Sequence, residues 1–333
     1  MTPTSATGHL AAEAAAFDRR IEERLAAGFV PDLRRAVRCE YFYKSFWRDP
    51  HFIDLYLGRQ VRSFLELIDR YAGPGARVLD AGCGAGYMTL ELARHGHQVR
   101  GVDISAACID AARTTLATNP YRDGFGSLAY DVASFDEVEG EFDVVLFSGC
   151  LHHFDDVDAA LERAARLATP NGCVLFGEPC HERWTEADAA QVTLMRSMLA
   201  MTGFWYEPDR PDEPITERAL ESAISAVHAE YVDERDPHEG GQSPNDNACT
   251  GADILAAARR HLEELETRPT VAFMYRMLGG LRGPQATIER IATLLATYDR
   301  LAVRRGYMQP NGFLFAGRPI GDGVPSPRSG SVA

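Results

Sequence analysis

Residues Val78 to Tyr87 read V-L-D-A-G-C-G-A-G-Y, an apolar run that leads into an acid and three alternating glycines. Glycines in such a turn let the backbone reverse tightly and let a ligand approach it closely. The spacing is G-x-G-x-G, and Tyr87 stands where the dinucleotide fingerprint wants glycine or alanine. Asp80 heads the turn. A carboxylate there repels a pyrophosphate but suits a ligand that carries an ammonium and a sulfonium. No G-K-[ST] follows, so this is not a triphosphate loop. Asp103 closes the next apolar run about twenty residues later, where a carboxylate can accept from both hydroxyls of a ribose. Asp131 closes the third, where an acid can accept from an adenine amino group.

Groups able to move a proton come next. His152 and His153 follow the fourth apolar run, and Glu178, Cys180 and His181 follow the fifth. Adjacent side chains in a strand point in opposite directions, so at most one of the two histidines is expected to face a pocket. His228, Asp233, Asp236, His238 and Glu239 cluster in an acidic stretch, but their spacing matches no metal motif. A solvated loop is expected there, with no metal site assigned.

These residues need elements to hold them. ARVLDAG, HQVRGVDIS, GSLAYD, FDVVLFSG and GCVLFGEP read as five short strands. Helical segments fall between them at roughly 86–95, 105–117 and 156–168. Strands alternating with helices imply βαβ units and a parallel sheet, with right-handed crossovers covering both faces. Ahead of them, Ile53, Leu57, Val61, Phe64, Leu65 and Ile68 share one helical face, preceded by the aromatic run Tyr41 to Trp47. Beyond Glu178 the pattern is mostly helical, near 185–201, around Leu220 to Val227, and from Ala252 to about Leu265. A strand is predicted over RPTVAFMY. A long helix follows, with Ile288, Ile291, Leu294, Leu295, Tyr298 and Leu301 on one face, and GFLFAGRP closes the sheet. The expected fold is α/β, a doubly wound, mostly parallel seven-stranded sheet with an N-terminal helical lid and a helical cap insertion. The expected division is 1–73 lid, 74–180 core, 181–260 cap, 261–320 completion of the sheet and 321–333 disordered tail.

VLDAGCGAGYMTLELA, GVDIS, YDVASF and FDVVLFSGCLHHFDD resemble the successive motifs of the Rossmann-like, class I S-adenosylmethionine-dependent methyltransferases of small-molecule type. The resemblance is good over roughly residues 75 to 180. It implies that Asp80, Gly82, Gly84 and Gly86 line the methionine end of the cofactor and that Asp103 holds the ribose. Ile104 would lie against the adenine, with Asp131 and Val132 flanking it, and Ser148 near the sulfonium. The family folds helices ahead of the first strand over the cofactor, so Tyr41 and Tyr43 are expected to touch cofactor or acceptor. Phe204, Trp205 and Tyr206 are a further expected acceptor wall. His152, His153, His181 and Glu178 are the candidate bases, needed if the acceptor must lose a proton. The implied activity is methylation of O, N or C on a small molecule, in specialised metabolism, with S-adenosylhomocysteine as product. A divalent metal, used by some relatives, stays open.

Composition narrows the partners. The chain has 333 residues and a formal net charge of −14, which disfavours nucleic acid and anionic membrane surfaces. Seven cysteines without a C-x-x-C pair imply reduced, buried thiols and a cytoplasmic setting. A homodimer stays open. Two other readings remain. One is an NAD-dependent oxidoreductase, which the tyrosine at 87 and the acid at 80 oppose. The other is a non-catalytic protein that binds S-adenosylmethionine.

Overall fold

The computed structural model describes residues 3–35, 49–207, 214–232, 243–246 and 249–320. Seven strands form one sheet: β1 (Arg77–Ala81), β2 (Gln98–Asp103), β3 (Ser127–Val132), β4 (Phe142–Ser148), β5 (Ala168–Pro179), β6 (Leu262–Pro269) and β7 (Gly312–Pro319). Their order is β3-β2-β1-β4-β5-β7-β6. The first five are mutually parallel, and β7 runs antiparallel to both β5 and β6. Val144, Val145, Leu146 and Phe147 are fully buried, as the unbroken apolar run of β4 requires of a strand covered on both faces.

Helices α4 (Tyr87–Arg94), α5 (Ala106–Thr118) and α6 (Val157–Leu167) make the crossovers. Their starts follow local chemistry: the Ser105 hydroxyl accepts from Cys108 N, and the Asp156 carboxylate from Ala159 N. One core cluster joins α3 (Arg59–Tyr71) and α4 to the sheet, through Phe64, Leu67, Ile68, Met88 and Leu92. The opposite face is filled by α6 and α9 (Gly251–His261). Helix α1 (Pro3–Ala26) packs on α5, with Ile21 and Phe29 buried against Ala85, Cys108 and Ala111. Asp18 of α1 accepts from the Ser105 hydroxyl at 2.6 Å and from Ala107 N at 3.1 Å, tying that helix to the start of α5.

A separate cluster gathers α7 (Glu186–Met201), α8 (Glu217–Val232), α10 (Met274–Leu278) and α11 (Gln285–Arg305) around Trp184, Tyr231, Phe273 and Met277. Asp299 of α11 is buried in it, and its carboxylate accepts from the backbone N–H groups of Ala272, Phe273 and Met274. Those three N–H groups, held by one carboxylate, fix the turn between β6 and α10.

Two expectations about elements are corrected. The predicted strand at 268–275 lies earlier: α9 stops at His261, β6 occupies Leu262–Pro269, and residues 274–278 are helical. The run L-E-E-L-E is a good helix former, but it pairs with β7 as the sheet's last strand, where exposed glutamates also discourage further pairing. In α11, Leu294 is exposed. The buried positions are Ala292, Leu295, Ala296, Asp299 and Ala302.

Gly86 opens α4 with φ +78. A Cβ there would lie 2.4 Å from the Tyr130 hydroxyl oxygen and 2.9 Å from Ala112 Cβ. Tyr130 is buried, and its hydroxyl donates to Gly86 O at 3.0 Å. Gly86→Ala is therefore expected to destabilise the fold by about 2–3 kcal/mol through strain and overpacking. Urea unfolding measures this, and a loss under about 1 kcal/mol would contradict the packing role.

Candidate functional site

The strand order turns back between β1 and β4: β1's chain continues toward β2 on one side, and β4 lies on the other. Open α/β sheets bind ligands at such a point, outside the carboxyl ends of the strands. Here the cavity occupies that crevice, with a volume near 800 Å³. It is lined by the glycine turn, the ends of β2, β4 and β5, residues of α1 and α3, and the start of β7.

The turn is built from the backbone outward. Gly82 N and Cys83 N both donate to Val102 O, at 2.9 and 3.0 Å, pulling the loop over β2. Gly82, Gly84 and Gly86 all have positive φ. At Gly84 a Cβ would meet nothing within 4 Å, so the backbone there borders open cavity. At Gly82 it would meet Cys150. Asp103 accepts from Gly84 N through one carboxylate oxygen and from Ser105 N through the other, each at 2.8 Å. Burial pushes its carboxyl above the ordinary range, against those two backbone bonds. Asp80 is completely buried. One of its oxygens accepts from the Thr89 hydroxyl at 3.0 Å, and the other has no partner. Burial raises its carboxyl to about 7.

Six of the expected cofactor residues fall on the cavity wall. Asp80, Gly82, Gly84, Asp103, Ile104 and Ser148 line the cavity. Gly86 does not, since its space is taken by Tyr130. Asp131 and Val132 do not line the cavity either. Asp131 pairs with Arg100 Nε at 2.7 Å, Val132 is 46% exposed, and the wall at this edge is Ala133 to Asp136. Arg100 lies one strand over, at a register that lets its guanidinium reach Asp131. Tyr41 and Tyr43 lie outside the described residues, as do Asp233, Asp236, His238 and Glu239. The wall expected from Phe204, Trp205 and Tyr206 is elsewhere: Trp205 is buried against Gly280 and pairs with Leu281, under Arg196 at 5.3 Å. None of the three lines the cavity.

His152 and His153 differ from the strand expectation. They sit in a short 3₁₀ turn, Leu151–His153, so both rings stand on the cavity wall with centroids 4.2 Å apart. His152 Nδ1 lies 2.6 Å from Glu178 Oε2. The other oxygen of Glu178 accepts from Cys150 N and Leu151 N, each at 2.9 Å. Glu178 thus holds both the turn and the ring it carries. A carboxylate on Nδ1 fixes the proton there and leaves Nε2 as the nitrogen with the lone pair. His153 Nδ1 lies 3.0 Å from Ser243 Oγ and 3.3 Å from Glu13 Oε1. His181 Nδ1 is hydrogen-bonded to Asn311 Oδ1, and both residues line the cavity. His152, His153 and Asp246 each bring one ligand atom within 4.8 Å of the others, a spacing that one divalent cation could bridge.

Several wall residues escaped the sequence reading. Gln60 donates to Ser148 Oγ and accepts from the Tyr87 hydroxyl, each at 3.4 Å. Glu13, Asn245 and Asn311 are others. The polar side of the α3 face pattern was the available signal for Gln60. The remainder carry none, because their partners are far away in the chain.

An S-adenosyl ligand can be tested against these groups. Open space at Gly84, an unpartnered buried oxygen on Asp80 and an acid at the end of β2 are what a ligand with an ammonium and a ribose needs. Residues 53–207 match the family described as a methyltransferase domain. The chain is 36% identical over 117 residues to the ubiquinone biosynthesis O-methyltransferase of Aromatoleum aromaticum, covering 34% of this chain and 48% of that one. An uncharacterised methyltransferase of Mycobacterium tuberculosis is 38% identical over 95 residues, 28% of this chain and 46% of the other. The chain thus spans about half the length of these curated relatives. Among solved structures, the N-methyltransferase NodS from Bradyrhizobium japonicum WM9 aligns at 13% identity and a TM-score of 0.41, over 80% of this chain and 97% of that one. No helix among the described residues is long and apolar enough to cross a membrane. Residues 53–207 thus carry a segment that matches a methyltransferase domain, on a sheet whose order turns back at the glycine loop.

Proposed function

We propose that this protein transfers a methyl group from S-adenosylmethionine to a small-molecule acceptor that must give up a proton, such as a hydroxyl compound of specialised metabolism. The observation that carries this reading is the continuity of one cavity, from the glycine turn past Ser148 to the buried His152–Glu178 pair. The cofactor supplies an activated methyl on a good leaving group, so positioning accounts for much of the rate. Asp103 holds the ribose and Asp80 faces the ammonium. Gln60 bridges α3 to Ser148 and fixes the wall beside the sulfur. His152 takes the acceptor's proton, with Glu178 orienting the ring and stabilising the charge it gains. A relative named for O-methylation in ubiquinone biosynthesis supports a small acceptor.

Asp103→Ala is expected to weaken S-adenosylhomocysteine binding at least tenfold, about 1.4 kcal/mol or more, while the circular dichroism spectrum is kept. Isothermal titration calorimetry reads it, and unchanged affinity would remove the ribose assignment. Thermal stabilisation by NAD but not by S-adenosylhomocysteine would overturn the whole reading.

A further inference from the structure

The cavity wall carries three arginines, Arg24, Arg59 and Arg268. Arg268 is bound by Glu66 and Glu266, and Arg24 is engaged. Arg59 differs. Among the described residues its guanidinium has neither an ion pair nor a hydrogen bond, although the side chain is half-buried on the wall. A guanidinium has five donors and cannot shed its proton. Half-buried on a cavity wall, it is placed to gain from an acceptor that a ligand brings.

Among the described residues, the acid whose charge bears on it is Asp299, and that carboxylate is spent on the backbone of residues 272–274. Burial pushes the Arg59 guanidinium below its ordinary value. Arg300 and Arg62 add like-charge repulsion, and Asp299 opposes them in part.

The helix decides which end of the cavity Arg59 serves. Its neighbour Gln60 is turned toward Ser148 and Tyr87, the cofactor side. Successive residues on a helix point about 100° apart. Arg59 instead shares its surroundings with Asp299 and Arg300 of α11. Asp299 fixes the backbone between Val271 and Tyr275, which line the cavity with the first residues of β7. That wall lies away from the glycine turn.

We infer that Arg59 is the anchor for a carboxylate on the methyl acceptor, so that the accepted small molecules are acids. The planar fork of a guanidinium matches a carboxylate in two parallel hydrogen bonds. This inference rests on the methyltransferase reading above, since it assumes that the acceptor shares the cavity with the cofactor.

The test uses the full chain saturated with S-adenosylhomocysteine, and a panel of hydroxylated aromatic carboxylates with their matched carboxamides, read by thermal shift and calorimetry. Wild type is expected to bind the acids at least tenfold more tightly than the amides. Arg59→Ala should erase that preference while amide affinity and S-adenosylhomocysteine affinity stay within about twofold. Arg59→Lys should keep part of it, because charge remains while the fork is lost. Two results overturn the inference: a wild type that prefers no acid across the panel, or an Arg59→Ala variant whose loss falls on S-adenosylhomocysteine instead. The second would assign the guanidinium to the cofactor's own carboxylate. Failure of wild type to bind S-adenosylhomocysteine at all would be seen before any acid is added, and would strike the methyltransferase reading itself.

Discussion

His152→Ala lowers kcat by about 10²–10⁴-fold, the range a positioned general base contributes, with S-adenosylhomocysteine affinity unchanged. The reason is geometric. The His152 ring sits on the cavity wall with Nδ1 held 2.6 Å from a buried carboxylate. Glu178→Gln is the sharper form of the test. Glutamine keeps one oxygen for Cys150 N and Leu151 N, so the turn survives. Its amide NH₂ then faces Nδ1 and favours the tautomer that carries the proton on Nε2, which cannot accept one from substrate. Misorienting the tautomer in this way has cost about 10⁴-fold in a serine protease triad, and a loss of at least 10²-fold is expected here. Single-turnover methyl transfer measures both variants. Glu178→Gln turnover near wild type would reduce Glu178 to a structural anchor, and His152→Ala near wild type would retire the base.

Asp80→Asn changes stability and binding in opposite directions. Burial lifts the Asp80 carboxyl from 3.8 to about 7. In the unfolded chain it ionises near 3.8, so the raised folded value favours the fold only while the group stays protonated. The benefit is complete below about pH 4 and is lost as pH rises toward 7. Roughly three pKa units at about 1.4 kcal/mol each set the scale of that loss near 4 kcal/mol by pH 8. The asparagine variant has no charge to bury. Without ligand, its unfolding free energy should decline far less between pH 5 and pH 8 than that of wild type. An equal decline would show that Asp80 is not the buried charge responsible. With ligand the sign reverses. An ammonium beside Asp80 restores the reason to ionise, so wild-type affinity for S-adenosylhomocysteine should rise from pH 6 to pH 8. Asp80→Asn should bind at least tenfold more weakly at pH 8 and show no such rise beyond the ligand's own titration.

Both effects come from residues visible as chemistry in the chain, but only part of their setting was. The turn at 80–86 and the acid at 103 are legible because a strand, a reversal and a helix cap are decided by a few adjacent residues. Asp131 stands in the chain as Asp103 does, at a strand end, but does not line the cavity. Its register beside Arg100 gives it a cation to pair with, and that depends on how β2 and β3 align. Trp205 had the look of a ligand wall but fills the space over Gly280, a contact across 75 residues that no local pattern announces. The strand at 262–269 was hidden for a related reason: its leucines and glutamates prefer helix, and pairing with β7 overrides that preference.

What the chain's own order of residues settled is the alternation of strands and helices, the glycine turn and the acid that follows it. Each is a short-range matter of steric freedom, periodicity and capping. What only the folded arrangement decided is which polar groups meet. Glu178 reaches His152 across 26 positions, Glu13 reaches His153 across 140, and among the described residues Arg59 pairs with no acid, since Asp299 is already bonded to backbone. Such pairings follow from strand order and helix packing. They join segments whose separation along the backbone carries no information about their distance in space.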